Sequence, residues 1–115
     1  MPKRISRTSS AAQRKGARDA AASRPYERWL IERLKEPAEA AAYLDAVIGE
    51  GDQAALMLAL RQIAAAQGGV ARIARKANLT REATYKILSK SGNPELRSLT
   101  AVLKAAGLRL AVKPD

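Results

Sequence analysis

Nothing in this chain limits its fold as tightly as residues 68–107, GGVARIARKANLTREATYKILSKSGNPELRSLTAVLKAAG. Val70, Ile73, Ala74 and Ala77 recur at helical spacing, while Arg72, Arg75 and Lys76 point away from them. Asn78 ends this first helix, because Asn is second only to Gly in accepting the left-handed conformation. Leu79 then turns into the core, and Thr80 is a good N-cap for a second helix. In that helix Thr84, Ile87 and Leu88 share one face, and Arg81, Glu82, Tyr85, Lys86, Ser89 and Lys90 cover the rest. Two helices that cross closely tolerate only a small side chain at the crossing, and Ala74 fits that position. Gly92 breaks the chain, and Asn93-Pro94 is expected to restart it as a cap followed by the first helical residue. Leu96, Leu99, Val102, Leu103 and Ala106 then form a buried stripe that Gly107 terminates. A short helix, a tight turn, a helix with a polar and basic outer face, and a third helix behind them make the pattern of a helix-turn-helix.

The outer face carries groups suited to base edges and phosphates. Arg81 and Lys86 can donate to guanine O6 and N7, Glu82 can accept from cytosine N4, and Thr80 can touch a thymine methyl, with Tyr85 and Ser89 beside them. Arg75, Lys90, Ser91 and Asn93 are better placed for phosphates. The bare amides at the start of the Val70 helix suit a phosphate too. A plain helical domain with a basic face is the simpler reading. The ordered set Ala74, Asn78, Leu79, Thr80 and Asn93-Pro94 is more than amphipathicity supplies.

Charge divides the chain into three. The net charge is +10, which favours a polyanionic partner. Residues 1–25 carry seven basic side chains against Asp19 alone, and residues 66–115 carry ten against Glu82, Glu95 and Asp115. Between them Glu27, Glu32, Glu36, Glu39, Asp45, Glu50 and Asp52 outnumber Arg28, Arg33, Lys35 and Arg61. An acidic middle between two basic ends implies two partners, because one partner would not ask for both signs.

This charge map suggests three parts: a leader (1–25), an acidic helical segment (26–51) and a DNA-reading domain (52–115). The leader is rich in Ser, Ala, Arg and Lys with almost no large apolar side chain, so it is expected to be disordered. It reads equally as an arm tracking DNA or as a solvated appendage. In the acidic segment Tyr26, Trp29, Leu30 and Leu34 follow helical spacing to about Glu36. Pro37 opens a second helix with the stripe Ala40, Leu44, Val47 and Ile48, ended by Gly49 and Gly51. Tyr26, Trp29, Leu30 and Leu34 are the candidates for gripping a basic protein partner, and packing of Trp29 on the main domain is the plainer alternative. Asp52 caps an apolar helix running to about Gln67, with Arg61 and Gln62 as its wet edge. After Gly107, Leu108, Leu110 and Val112 alternate with Arg109, Ala111 and Lys113, the period of a strand. Such a strand needs an edge: a second copy, a partner's sheet, or simple packing of a tail on the domain.

Composition sets outer limits. A chain of 115 residues builds one modest core, not two. It contains no Cys and no His, which excludes disulfides, zinc fingers and Cys or His nucleophiles, and fits a cytoplasmic protein. No metal or other cofactor is expected. No apolar run approaches the roughly 20 residues that span a bilayer, so no membrane association is expected. An enzyme has little support: the phosphate-loop motif GxxxxGK[ST] is absent, and the basic half has no close pair of carboxylates.

From about Leu34 to Val112 the chain resembles the probable addiction-module antidote family, HigA-like antitoxins with a Cro/repressor-type helix-turn-helix. The residues that carry this are EPAEAAAYLDAVIGEGD, the GG before the first DNA-reading helix, ANLTREATYKILSKSGNPEL and LTAVLKAAGLRLAV. It departs from the pattern at Asn78, where Gly is usual, at Thr84, where an aliphatic residue is usual, and at Glu36, a weaker cap than Asp. The resemblance implies an all-α, Cro/repressor-like fold of five to six helices with a short C-terminal strand, and the basic leader is not part of the family pattern. It also implies a homodimer that binds double-stranded operator DNA and silences a RelE/ParE-like toxin. A stand-alone phage-type regulator and a histone-like architectural protein are the competing classes.

Overall fold

The computed structural model describes residues 24–115. They form six helices: α1 (Arg24–Arg33), α2 (Pro37–Glu50), α3 (Gln53–Ala66), α4 (Val70–Ala77), α5 (Arg81–Ile87) and α6 (Leu96–Ala105). The chain divides after Leu30, so α1 straddles two units and the five later helices share Ile31–Asp115. Residues 1–23 of the basic leader lie outside the described residues, and their expected disorder with them; residues 24 and 25, expected in the leader, instead open α1.

Three of the helix ends in Ile31–Asp115 share one piece of chemistry. After α3, α4 and α6 a residue turns left-handed: Gly68 at φ 103°, Asn78 at φ 60° and Gly107 at φ 84°. In each case the amide of that residue and the amide after it fold back onto the last turn. Leu79 donates to the Ala74 carbonyl at 2.9 Å and Asn78 to Arg75 at 3.2 Å; Leu108 and Gly107 do the same to Leu103 and Lys104. Gly69 and Gly68 repeat it on Ala64 and Ala65. This is the Schellman closure, which satisfies carbonyls that a helix end leaves bare. Gly69 adds φ 101° with ψ 164°, a region essentially restricted to glycine. That double-glycine corner turns α4 by 90° from α3.

The starts of the helices follow their caps where caps exist. Asp52 accepts from the Ala55 amide at 3.2 Å, and Thr80 from the Ala83 amide at 3.0 Å. Glu36 makes no side-chain cap bond, and Pro37 begins α2 unaided. Gly49 does not end α2, which continues to Glu50 and stops at left-handed Gly51.

The core of Ile31–Asp115 is aliphatic. Leu34, Met57, Leu60, Ile63, Ile73, Thr84 and Leu88 are its largest fully buried side chains, with Val102 and Leu103 behind them. Each such aliphatic side chain stabilises the fold by about 1.5–3 kcal/mol relative to exposure. α3 packs on α2 and α4, and α4 in turn on α5 and α6. No single helix among the described residues is long and apolar enough to cross a membrane.

Five expectations need correction. Asn93-Pro94 does not start α6: Glu95 occupies the N-cap and residues 92–95 run without regular structure. Gly92 is pressed against the Ile87 main chain and its carbonyl accepts from Gln53 Nε2 at 2.9 Å, while Asn93, standing before proline, is kept from helical dihedrals. Leu96 therefore becomes the first residue of its helix and is 69% exposed rather than part of the stripe. Ile48 is likewise outside the buried face of α2. Gln62 is no wet edge; it is buried and accepts from the Tyr43 hydroxyl at 2.6 Å. Finally, residues 108–115 form no strand in the single chain, because a ladder needs a neighbouring edge and none of the described elements offers one.

Candidate nucleic-acid interface

α5 is a short helix, held in place by its flanks. At its start, Thr80 and the left-handed Asn78 set the direction of entry. In its middle Thr84 is fully buried, and its hydroxyl donates to the Thr80 carbonyl at 2.8 Å. A buried hydroxyl costs little when bonded in this way, so the family departure at this position is locally compensated. At its end, Arg61 of α3 donates to the Leu88 carbonyl at 2.7 Å, and Gln53 of the same helix holds Gly92. α3 thus anchors α5 through two side chain to main chain bonds across the fold.

The face left outward holds the predicted residues together. Thr80, Arg81, Glu82, Tyr85, Lys86 and Lys90 are exposed, as are Arg75, Ser91 and Asn93 nearby. Ser89 is half-buried, and its hydroxyl donates to the Lys86 carbonyl at 2.8 Å. The Arg81 guanidinium lies 5.9 Å from the centre of the Tyr85 ring, a cation–π contact that steadies both side chains at the surface.

The ion pairs lie elsewhere. Among the described residues the salt bridges are Arg33–Glu39, Lys35–Glu32 and Lys113–Asp45. Arg75, Lys76, Arg81, Lys86 and Lys90 thus have no carboxylate partner among the described residues. Such a cluster is electrostatically open to phosphates, which displace only water and mobile counterions.

The four residues proposed for a protein partner divide in two. Tyr26 and Trp29 are 58% and 52% exposed, with ring centres 5.6 Å apart. Leu30 and Leu34 are buried. Sequence reasoning also missed Arg61 and Gln53 as residues that position α5. Arg61 is the one charged residue in the apolar run QAALMLALRQIAAA, and that was its available signal; Gln53 offered none.

Within Ile31–Asp115, the helices α2 to α6 make a small helical domain with an exposed basic face on α5. The chain belongs to the family described as probable addiction module antidote protein, which it matches over residues 29–114. An uncharacterized protein of Haemophilus influenzae is 35% identical over 84 residues, covering 73% of this chain and 86% of its own length. No solved structure matches the chain. Membership of an antidote family carries an antitoxin role and, in general terms, a toxin partner.

Proposed function

We propose that this chain is the antitoxin of a type II toxin–antitoxin pair. It neutralises a RelE/ParE-like toxin by direct binding in the cytoplasm and represses its own operon as a homodimer on operator DNA. It acts by binding rather than by catalysis. The observation that carries the DNA half is the outward face of α5, where cations without carboxylate partners flank Tyr85. In this reading α4 and α5 are a Cro/repressor-type helix-turn-helix. Arg81 and Lys86 meet guanine, Glu82 meets cytosine and Thr80 a thymine methyl, while Arg75, Lys90, Ser91 and Asn93 hold phosphates. Two copies would set their α5 helices about 34 Å apart, one turn of duplex.

The toxin half rests on family membership and on Tyr26 with Trp29, the exposed aromatic pair of α1. Exposed aromatic anchors are the side chains that most often dominate protein interfaces. Buried Leu30 and Leu34 would serve such a surface from within rather than touch the toxin.

The experiment is co-expression of this chain with the product of the neighbouring reading frame. The expected result is a stable complex that relieves growth arrest, and a complex weakened by Tyr26→Ala with Trp29→Ala. Binding to the promoter fragment is measured in parallel against random DNA at fixed salt. Promoter binding without capture of that protein would make the chain a stand-alone regulator. Indifference to promoter sequence would remove the operator reading.

A further inference from the structure

The chain after Gly107 is laid out as half of something. Leu108 folds back onto Leu103, but from Arg109 onward no main-chain amide or carbonyl of the tail has a main-chain partner among the described residues. Its apolar side chains turn progressively outward: Leu108 is half-buried, Leu110 is 40% exposed and Val112 is 99% exposed. The tail is nevertheless held along α2, because Lys113 Nζ donates to Asp45 Oδ2 at 2.9 Å. Between tail and helix runs an apolar groove of about 680 Å³, walled on the helix side by Pro37, Ala41, Leu44 and Ile48. An unpaired segment of strand periodicity beside an apolar wall is a template for another strand.

We propose that the occupant is the tail of a second copy, paired antiparallel so that Leu110 lies opposite Leu110 across a twofold axis. The sequence selects this register. It sets Leu108 opposite Val112 on the apolar side and Arg109 opposite Ala111 on the other. A slip of one residue would place Leu110 beside Ala111 and mix the two faces. Moving the twofold axis one residue along the tail keeps the faces but sets like charges directly opposite, Arg109 against Lys113 or Arg109 against Arg109. Of the registers compared, the Leu110 one avoids both faults. A two-stranded ribbon is marginal by itself, and the α2 walls of both copies supply the apolar cover it requires. The inference rests on the homodimer of the preceding section and identifies the surface that makes it.

The full chain contains no cysteine, so Leu110→Cys introduces a single thiol. Residues directly opposite in such a ribbon have Cβ atoms about 4.5–5.5 Å apart, within reach of a disulfide after small adjustment. Under a mild thiol oxidant Leu110→Cys is expected to give a species of twice the 12.3 kDa chain mass. It should form roughly tenfold faster than with Ala111→Cys, whose thiol faces the other side of the ribbon opposite Arg109. Leu110→Pro should convert the dimer seen by light scattering to monomer while the helical circular dichroism persists. A wild-type dimer in which Leu110→Cys gains no such advantage, or in which Leu110→Pro stays dimeric, overturns the ribbon and leaves the dimer standing. A monomer at every concentration overturns both. A Leu110→Cys disulfide to a cysteine introduced in a sheet edge of the co-expressed toxin, in preference to its own copy, assigns the tail to the toxin instead.

Discussion

The Arg61 guanidinium donates to the Leu88 carbonyl at 2.7 Å, joining the middle of α3 to the end of α5. The carbonyl is one of those a helix end leaves without an intrahelical partner, so the bond both satisfies it and fixes where α5 stops. Arg61→Leu should cost about 1–3 kcal/mol, the range for losing a bond from a charged donor. In urea the midpoint should fall with an unchanged slope. Operator affinity should fall as well, although Arg61 is not on the outward face. A wild-type midpoint would remove Arg61 from the support of α5.

Asn78 is the only non-glycine among the described residues with positive φ, at φ 60° and ψ 42°. That conformation costs most L-residues about 1–2 kcal/mol. Asn78→Gly should therefore leave stability within about 1 kcal/mol of the parent, since relief of strain opposes the added freedom of the unfolded chain. Asn78→Val should lose at least about 1–2 kcal/mol. Thermal unfolding that ranks Val with Gly would contradict the left-handed turn.

Two glycines should respond in opposite directions to alanine. A Cβ on Gly92 would collide with the Ile87 carbonyl oxygen and lie 2.9 Å from its carbon, main-chain atoms that cannot swing aside. Gly92→Ala should cost about 1–3 kcal/mol through overpacking. A Cβ on Gly49 meets nothing within 4 Å, and the residue lies inside α2. Gly49→Ala should gain about 0.5–1 kcal/mol. Calorimetry on the pair checks both signs.

Thr84→Val should be neutral or stabilising by up to about 1 kcal/mol. The lost hydroxyl bonds only to the Thr80 carbonyl, which still accepts from the Thr84 amide at 3.0 Å. No buried acceptor is left bare, and a methyl fills the space. A loss above that size would show that the hydroxyl has a role the fold does not reveal.

Arg81→Ala should weaken operator binding by roughly 1–3 kcal/mol and relax preference at a single base pair. Lys90→Ala should weaken all sequences alike and reduce the salt slope by about one. Binding isotherms on operator variants at several salt concentrations separate the two. Equal loss on every sequence for Arg81→Ala would make it a phosphate contact.

Local chemistry was legible in the chain to the extent that one residue decides one backbone event. Asp52 and Thr80 as caps, Asn78 and Gly107 as left-handed stops, and the outward set from Arg81 to Lys90 all follow from side-chain type and helical period. What depends on distant partners was not legible. Whether Gln62 meets water or the Tyr43 hydroxyl, whether Arg61 lies idle or anchors Leu88, and where α6 begins after Gly92 were settled by elements many residues away. The strand period of 108–113 is the clearest case: the sequence supplies the alternation, but a single chain supplies no edge for a ladder. Caps and periods are local free energies that each segment carries with it, whereas burial and long-range hydrogen bonds exist only once the helices have packed.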